Sequence, residues 1–192
     1  MSKIILNQCV FSISVDIGEF SQKKFNMIKE VLKGYTIEAL PLPEMLQFKI
    51  DENEIVCITR KSINYYIGAD QFDRERVNGI IKNIFEVLML DPEVFAVIDI
   101  QGRTSAKNSF IESVSEYNEK FDDTFENLSG VGYRYFLKGE DYNDDLKKEP
   151  LIADNSFFYH QLTRNFNTTK VNVDRILDSL ADMLTNIAKY FK

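Results

Sequence analysis

Apolar residues recur at every second position near the start of the chain and then change to helical spacing. The first pattern places four apolar side chains on one side of a strand: Cys9, Phe11, Ile13 and Val15. Because successive side chains of a strand point to opposite faces, this segment is predicted to be half-buried and to pair antiparallel within a sheet. Over residues 19–33 the spacing becomes helical, and Gly34 is placed to end that helix.

A run of short strands and a long helix are predicted next. Pro41 and Pro43 indicate an extended connection, because each proline lacks an amide donor and restricts the residue before it. Alternating or continuous apolar residues then predict strands over 46–50, 55–59 and 63–67. From about residue 72 to residue 90, a wide apolar stripe predicts a helix that lies across a sheet.

After Pro92 a similar order of elements begins again. The pattern predicts a strand over 94–100 and a helix over 109–121, in which Ser109 and Glu112 form a capping box. Strands over about 131–137 and 157–164 follow, and a closing amphipathic helix bears apolar residues from Val173 to Phe191. The helix over 109–121 is predicted to face inward with four apolar residues: Phe110, Val114, Tyr117 and Phe121.

These elements predict an α+β fold in which helices pack on one face of an antiparallel sheet. Residues 1–91 follow the order strand, helix, three strands, helix, and residues 92–192 follow the order strand, helix, two or three strands, helix. One plan used twice would relate the halves by a pseudo-twofold axis, as in TATA-binding-protein-like or helix-grip architectures. We therefore expect a single domain over residues 1–192, either with two pseudo-repeated halves, 1–91 and 92–192, or with a coincidental order of elements.

Charge and composition narrow the classes of partner. The 192 residues include 23 basic and 30 acidic side chains, a net charge of −7, and a surface of that sign repels phosphate backbones and anionic lipid. Nucleic-acid binding is therefore disfavoured and would need a local basic patch. No stretch is long and apolar enough to span a membrane, and Asn7 and Gln8 interrupt the apolar N-terminal stretch, so a cytoplasmic protein without membrane contact is expected.

The sequence predicts no catalytic residue, no metal site and no cofactor. Asp141, Asn143 and Asp145 occupy positions 1, 3 and 5 of an EF-hand-like loop. Leu146 and Ile152, however, stand where such a loop needs glycine and glutamate. This acidic segment is therefore expected to be a solvated surface loop.

The cysteines and the single histidine are expected to be structural. Cys9 and Cys57 lie far apart in apolar strand-like runs, and they are predicted to be buried free thiols. His160 is the only histidine, which excludes any mechanism or metal site that needs two imidazoles. We expect it to lie in a strand, on the same pleat as Phe158 and Leu162.

Two groups of residues remain as candidate binding sites. Arg134 is predicted to point to the strand face opposite Tyr133 and Tyr135, where it either binds an anion or pairs with a carboxylate. Asp99 on a neighbouring strand is the expected partner in the second case. On the closing helix, three carboxylates recur every four residues and form an acidic ridge, which is either solvated or a docking face for a basic partner: Asp174, Asp178 and Asp182.

The strand segment that contains Arg134 resembles part of a family of uncharacterised, sporadically distributed bacterial proteins. Gly132, Arg134 and Tyr135 match the Gly-Leu-Arg-Tyr strand of that family, and Tyr133 replaces the leucine. The family usually continues with asparagine or aspartate two residues after the tyrosine, where this chain has Leu137. The resemblance implies no established activity, and the scattered distribution of the family implies a setting in mobile elements or defence loci.

Two functional hypotheses follow. The preferred one is a non-catalytic protein-binding or regulatory module, whose partner is another protein or a second copy of the chain. Edge strands of the sheet and the acidic ridge are the expected binding surfaces. The alternative is a small-ligand-binding protein or hydrolase with a pocket between the sheet and the C-terminal helix, near Tyr133, Arg134, Tyr135 and His160.

Overall fold

A computed structural model describes residues 4–68, 72–121, 125 and 127–191 of the chain. Within this part of the chain, nine strands form one sheet: β1 (Ile4–Ser14), β2 (Glu38–Leu42), β3 (Met45–Asp51), β4 (Glu54–Thr59), β5 (Ser62–Ile67), β6 (Glu93–Ser105), β7 (Tyr133–Lys138), β8 (Asn143–Pro150) and β9 (Phe157–Asn172). Five helices accompany the sheet: α1 (Gln22–Val31), α2 (Arg74–Leu88), α3 (Ser109–Phe121), α4 (Val173–Thr185) and α5 (Ile187–Tyr190).

Neighbouring strands of the described sheet are antiparallel throughout, in the order β2-β3-β4-β5-β1-β6-β9-β8-β7. The α+β fold with an antiparallel sheet that the sequence predicts is therefore confirmed. β1 and β6 pair at the centre, and each is followed by a helix and by a meander that returns to its side. The TATA-binding-protein-like or helix-grip architecture, and the pseudo-repeat of the two halves, stay predictions.

One row of paired residues crosses all nine strands and fixes which positions of the two halves correspond. Phe11 of β1 and Ile98 of β6 are its central pair. β3 is the third strand outward from β1, and β7 is the third strand outward from β6, so β3 and β7 correspond. β2 is the fourth strand outward from β1 and therefore corresponds to the place just beyond β7. From β2 to β7 the row contains Ala39, Phe48, Val56, Tyr65, Phe11, Ile98, Arg164, Asp144 and Leu137.

The helix starts follow this correspondence. Ser21 accepts the amide of Lys24 at the start of α1, ten residues after Phe11. Asn108 accepts the amide of Ile111 at the start of α3, ten residues after Ile98. Side-chain oxygens at this position satisfy amides that have no partner inside the helix.

An arginine at the third position of each closing helix ties that helix to the meander before it. Arg76 of α2 donates to Glu54, which is fully buried at the start of β4, and burial raises the pKa of Glu54. Arg175 of α4 forms two hydrogen bonds, of 2.7 and 2.8 Å, with the carboxylate of Asp141 just before β8. Both halves therefore anchor the closing helix through a charged pair at the same topological place.

The helices cover one face of the sheet, here called the helix side, and leave the opposite open face uncovered. Phe25 of α1 stacks on Phe48 of β3 with ring centroids 6.0 Å apart. Gly102 of β6 makes room for the ring of Phe191, since a Cβ atom at Gly102 would lie 2.9 Å from that ring. The core of the helix side is apolar, which supplies the main driving force for packing the helices on the sheet.

Several predicted elements are confirmed, and several local predictions are wrong. The strands over 46–50, 55–59 and 63–67 lie within β3, β4 and β5, and Cys9 and Cys57 are buried free thiols. The predicted connection at Pro41 is the edge strand β2, in which a missing amide donor is tolerated. Asn108 caps α3 instead of Ser109, and Glu112 accepts the amides of residues 107 and 108.

The inward face predicted for α3 is only partly confirmed. This helix buries Ser109 and Ser113, whereas Phe121 is 55% exposed. The main contact of α3 is with β8, near the edge of the sheet, while α1, α2 and α4 pack side by side. Phe110, Val114 and Tyr117 are half-buried. The edge position leaves Phe121 exposed, so apolar spacing alone did not identify the most buried positions of this helix. The loop that was predicted where β8 lies, and the predicted partner of Arg134, are described below.

Candidate interaction surface

β7 is an edge strand whose side chains are exposed on both faces. Tyr135 and Leu137 on the helix side are each 46% exposed, and Phe136 on the open face is 72% exposed. The corresponding strand β3 buries its helix-side residues almost completely, with Phe48 at 0% exposure. The difference arises because β3 is covered by α1 and flanked by β2, whereas within the described chain β7 has a strand on one side only.

The two edges of the sheet differ in how well they are protected against pairing with another strand. β2 has only five residues and contains Pro41, which cannot donate a hydrogen bond to an incoming strand. β7 has six residues and contains no proline. Natural edge strands commonly use proline and short length to block pairing, so β7 is the better acceptor for an additional strand.

Three residues of β7 direct their backbone amide and carbonyl groups away from β8. The amide of Gly139 donates to the carbonyl of Tyr142 at 2.9 Å, which closes the β7–β8 hairpin. Alternate residues of a strand direct their amides to the same side, so the amides of Tyr135 and Leu137 face β8. The amides and carbonyls of the residues between and beside them therefore face away from the sheet: Arg134, Phe136 and Lys138.

Aromatic residues of α3 extend the apolar surface beside β7. Tyr117 stacks on Phe121 at 5.1 Å between ring centroids, and Phe125 lies 6.3 Å from Tyr117. Tyr133 and Tyr135 of β7 stack at 6.3 Å, and the ammonium of Lys120 lies 5.4 Å from the centroid of Tyr133. We call these aromatic side chains together with the β7 edge the β7 surface. Exposed apolar groups clustered in this way are typical of binding surfaces.

Arg134 lies on the open face, opposite Tyr133 and Tyr135, as the alternation predicts. Its expected pairing with Asp99 is wrong. Arg134 instead forms two hydrogen bonds with Asp145 of β8, 2.9 Å from Nε to Oδ1 and 2.5 Å from Nη2 to Oδ2, and these bonds lower the pKa of Asp145. β7 is next to β8 and separated from β6 by two strands, so Asp145 is the carboxylate within reach.

A shallow hollow of about 270 Å³ on the open face is lined by residues around Arg134. Its polar groups are already partnered with one another: Gln161 and Thr163 donate to Asp99 at 2.6 and 2.8 Å. Lys147 pairs with Glu149 at 2.8 Å. A ligand in this hollow would have to displace these bonds, so the hollow is a weak candidate site compared with the β7 surface.

His160 lies on the helix side, as a strand residue on the pleat of Phe158 and Leu162. It is fully buried, its Nε2 lies 2.8 Å from Thr104 Oγ1, and its ring stacks on Phe191 at 4.7 Å. Burial lowers the pKa of His160 to about 4, and the nearby Lys148 acts in the same direction. Because Arg134 is on the other face of the sheet, the structure does not bring Arg134 and His160 into one pocket.

The acidic ridge of α4 is engaged by the neighbouring helix α2. Arg74 donates to Asp178 at 2.8 Å and to Asp174 at 3.5 Å, and Lys82 lies 3.5 Å from Asp174. Asp182 accepts from Asn186, the residue that caps the C-terminus of α4. Asp174 and Asp178 therefore neutralise cations of α2 and hold two helices together, which leaves them less available to a basic partner.

The segment predicted as a solvated acidic loop is the hairpin leading into β8, so that prediction is wrong. Asp144 and Arg164 are only 3% and 2% exposed and form two hydrogen bonds of 2.8 Å. The guanidinium of Arg164 also lies 3.7 Å from the centroid of the Tyr142 ring. Asp144 is buried in this strand because Arg164 of β9 compensates its charge.

Three carboxylates of this acidic segment are thus held by arginines: Asp141 by Arg175, Asp144 by Arg164 and Asp145 by Arg134. Within the described ranges, no group of three or more histidine, cysteine, aspartate or glutamate side chains is arranged to hold a metal ion. The same part of the chain contains no helix that is long and apolar enough to cross a membrane.

Sequence reasoning named Arg134 and the tyrosines of β7 but missed Phe136, Leu137 and Lys138. The available signal was that apolar residues occupy both faces of this strand, which a half-buried strand does not need. No protein-family model matches the chain, and no curated protein is similar to it in sequence. The resemblance to the family with the Gly-Leu-Arg-Tyr strand stays a prediction.

Proposed function

We propose that this chain is a non-catalytic protein-binding module that recognises its partner through the β7 surface. The observation that carries the proposal is the contrast between corresponding strands: β3 is flanked and buried, whereas β7 leaves Tyr135, Phe136 and Leu137 exposed. An edge strand that lacks proline and exposes apolar residues on both faces is a template for pairing and is typical of a surface that a partner covers.

The charged residues elsewhere support a recognition role in preference to chemistry. The three aspartates in and just before β8 are each bound to an arginine, and His160 is buried beside Phe191. Such groups stabilise a scaffold and are not positioned to exchange protons with a substrate. The resemblance to a family of sporadic bacterial proteins extends the proposal to a regulatory module of a mobile element or defence system.

Site-specific photo-crosslinking tests this function. A photo-reactive phenylalanine analogue at Phe136 is expected to give an adduct of discrete mass in the cells that naturally produce the protein. The same analogue at Ile152, which is 90% exposed in the turn between β8 and β9, is the matched control and is expected to give none. The captured partner is then purified and its affinity measured.

The affinity of the purified pair decides the proposal. Phe136→Pro removes an amide that faces away from β8 and leaves the β7–β8 ladder intact, so it is expected to weaken binding strongly. Phe136→Thr keeps the amide and removes the ring. Comparing the two variants separates the contribution of the backbone hydrogen bond to the affinity from that of the aromatic side chain. An equal adduct at both positions, or no adduct at Phe136, contradicts a binding role for the β7 surface.

A further inference from the structure

The outer edge of β7 combines positive charge with apolar groups. The strand Tyr133–Lys138 contains two basic residues and no acidic one, although the whole chain has a net charge of −7. On the open face, Arg134 and Lys138 flank Phe136. Arg134 is already paired with Asp145. Lys138 is therefore the basic residue of β7 that we expect to pair with an acidic residue of an incoming strand.

β2 provides the template for a strand at this place, because it occupies the corresponding position at the other edge. Lys49 follows Phe48 in β3 as Lys138 follows Leu137 in β7, and Phe48 and Leu137 belong to the same row. In β2, Glu38 lies directly opposite Lys49. Opposite charges at directly facing positions stabilise a strand pair, so the corresponding place opposite Lys138 favours an acidic residue.

β2 also indicates which kind of residue is favoured opposite Phe136. Leu40 of β2 lies opposite Gln47, whose counterpart in β7 is Phe136. An apolar residue opposite Phe136 would cover a ring that is 72% exposed. The favoured strand therefore has an acidic residue followed two positions later by an apolar one, when it runs antiparallel to β7.

A second copy of the chain fits this edge poorly. Residues with outward-facing amides pair with each other, so two β7 strands centred on Phe136 place Phe136 opposite Phe136. That register places Arg134 of one copy opposite Lys138 of the other. Like charges at directly opposite positions destabilise a strand pair, so charge favours a different, acidic strand.

We infer that β7 accepts, as an added antiparallel strand, an extended segment of another protein with an acidic residue opposite Lys138 and an apolar residue opposite Phe136. This inference rests on the proposed function and specifies the chemistry of its partner. Backbone hydrogen bonds at Arg134, Phe136 and Lys138 supply affinity, and the charge at Lys138 supplies selectivity.

Two labelled peptides test the inference directly, by fluorescence polarisation with the full chain. The probes are capped Thr-Glu-Val-Leu-Val-Thr and the matched Thr-Lys-Val-Leu-Val-Thr. The glutamate peptide is expected to bind about three- to tenfold more tightly, because a facing pair of opposite charges replaces one of like charges. Lys138→Glu is expected to reverse the preference, and Phe136→Pro is expected to abolish binding of both peptides.

Each outcome decides the inference. Reversal by Lys138→Glu, with an unchanged circular dichroism spectrum, supports it even if Phe136→Pro fails to fold. Equal affinity for both peptides, no binding of either, or self-association of the wild-type chain through β7 overturns it. If the peptides fail while the Phe136 crosslink still captures a partner, the proposed function stands and only the stated chemistry of the partner is wrong.

Discussion

Two adjacent aspartates on β8 should differ sharply in their contribution to stability. Asp144 and Asp145 each form two hydrogen bonds with an arginine, but they lie on opposite faces of the strand. Asp144 and Arg164 are 3% and 2% exposed, whereas the side chains of Asp145 and Arg134 are 24% and 62% exposed. Asp144→Asn and Asp145→Asn are therefore a matched pair of isosteric changes.

The expected magnitudes follow from burial. Asp144→Asn leaves the Arg164 charge buried without compensation, which costs about 3 kcal/mol or more of the free energy of unfolding. Asp145→Asn leaves Arg134 in contact with water, and exposed pairs contribute less than about 1 kcal/mol. A double variant, Asp144→Leu with Arg164→Met, removes both charges and is expected to recover much of the loss, because an apolar pair of similar volume is often as stable as a buried ion pair.

Urea unfolding followed by far-ultraviolet circular dichroism measures these differences. The comparison requires an unchanged dependence of the free energy on urea concentration, which indicates that the same surface unfolds in each variant. Equal losses for Asp144→Asn and Asp145→Asn would refute the reasoning from burial. A double variant less stable than Asp144→Asn would show that the charges themselves, and not their compensation, stabilise the strand.

Two further predictions concern the helix side. Burial lowers the pKa of His160 from 6.5 to about 4, so between these pH values the unfolded chain binds a proton that the folded chain excludes. The free energy of unfolding should therefore fall by about 3 kcal/mol as the pH falls from 6.5 to 4. His160→Gln removes the titrating group, so the difference in its free energy of unfolding between pH 7 and pH 4.5 should be smaller than that of the wild type. Gly102→Ala should lower the free energy of unfolding by about 1–3 kcal/mol, because the new methyl group lies 2.9 Å from the fixed carbonyl oxygen of Ile5. Gly34→Ala, which meets no atom within 4 Å, is the control, and thermal unfolding that leaves both glycine variants equal to the wild type contradicts the packing argument.

The sequence predicted the parts of the fold whose apolar pattern has a clear period. β3 and β5 alternate cleanly, and α2 carries a wide apolar stripe, so their positions could be derived from spacing alone. β8 could not, because its buried face includes Asp144, and the arginine that compensates it comes from another strand. A charged residue predicts an exposed loop unless a partner compensates its charge, and the sequence alone does not show that partner.

The candidate site was predictable only in part. The sequence named Arg134 because strand alternation separates it from Tyr133 and Tyr135, and the structure places it so. Its partner depended on which strand lies next to β7, which local spacing does not determine. The exposure of Phe136 likewise depends on the order of strands in the sheet, because an edge position follows from topology and not from the residues of the strand.

Hydrogen exchange at single amides shows whether the outer edge of β7 is free in the isolated protein and covered in a complex. The amide of Leu137 faces β8 and should exchange slowly in the free protein, whereas the amide of Phe136 should exchange rapidly. With the glutamate peptide or the purified partner bound, we expect the Phe136 amide to become protected while exchange at Leu137 is little changed. A Phe136 amide that is already protected in the free protein, or that stays unprotected in the complex, would contradict a binding site at this edge.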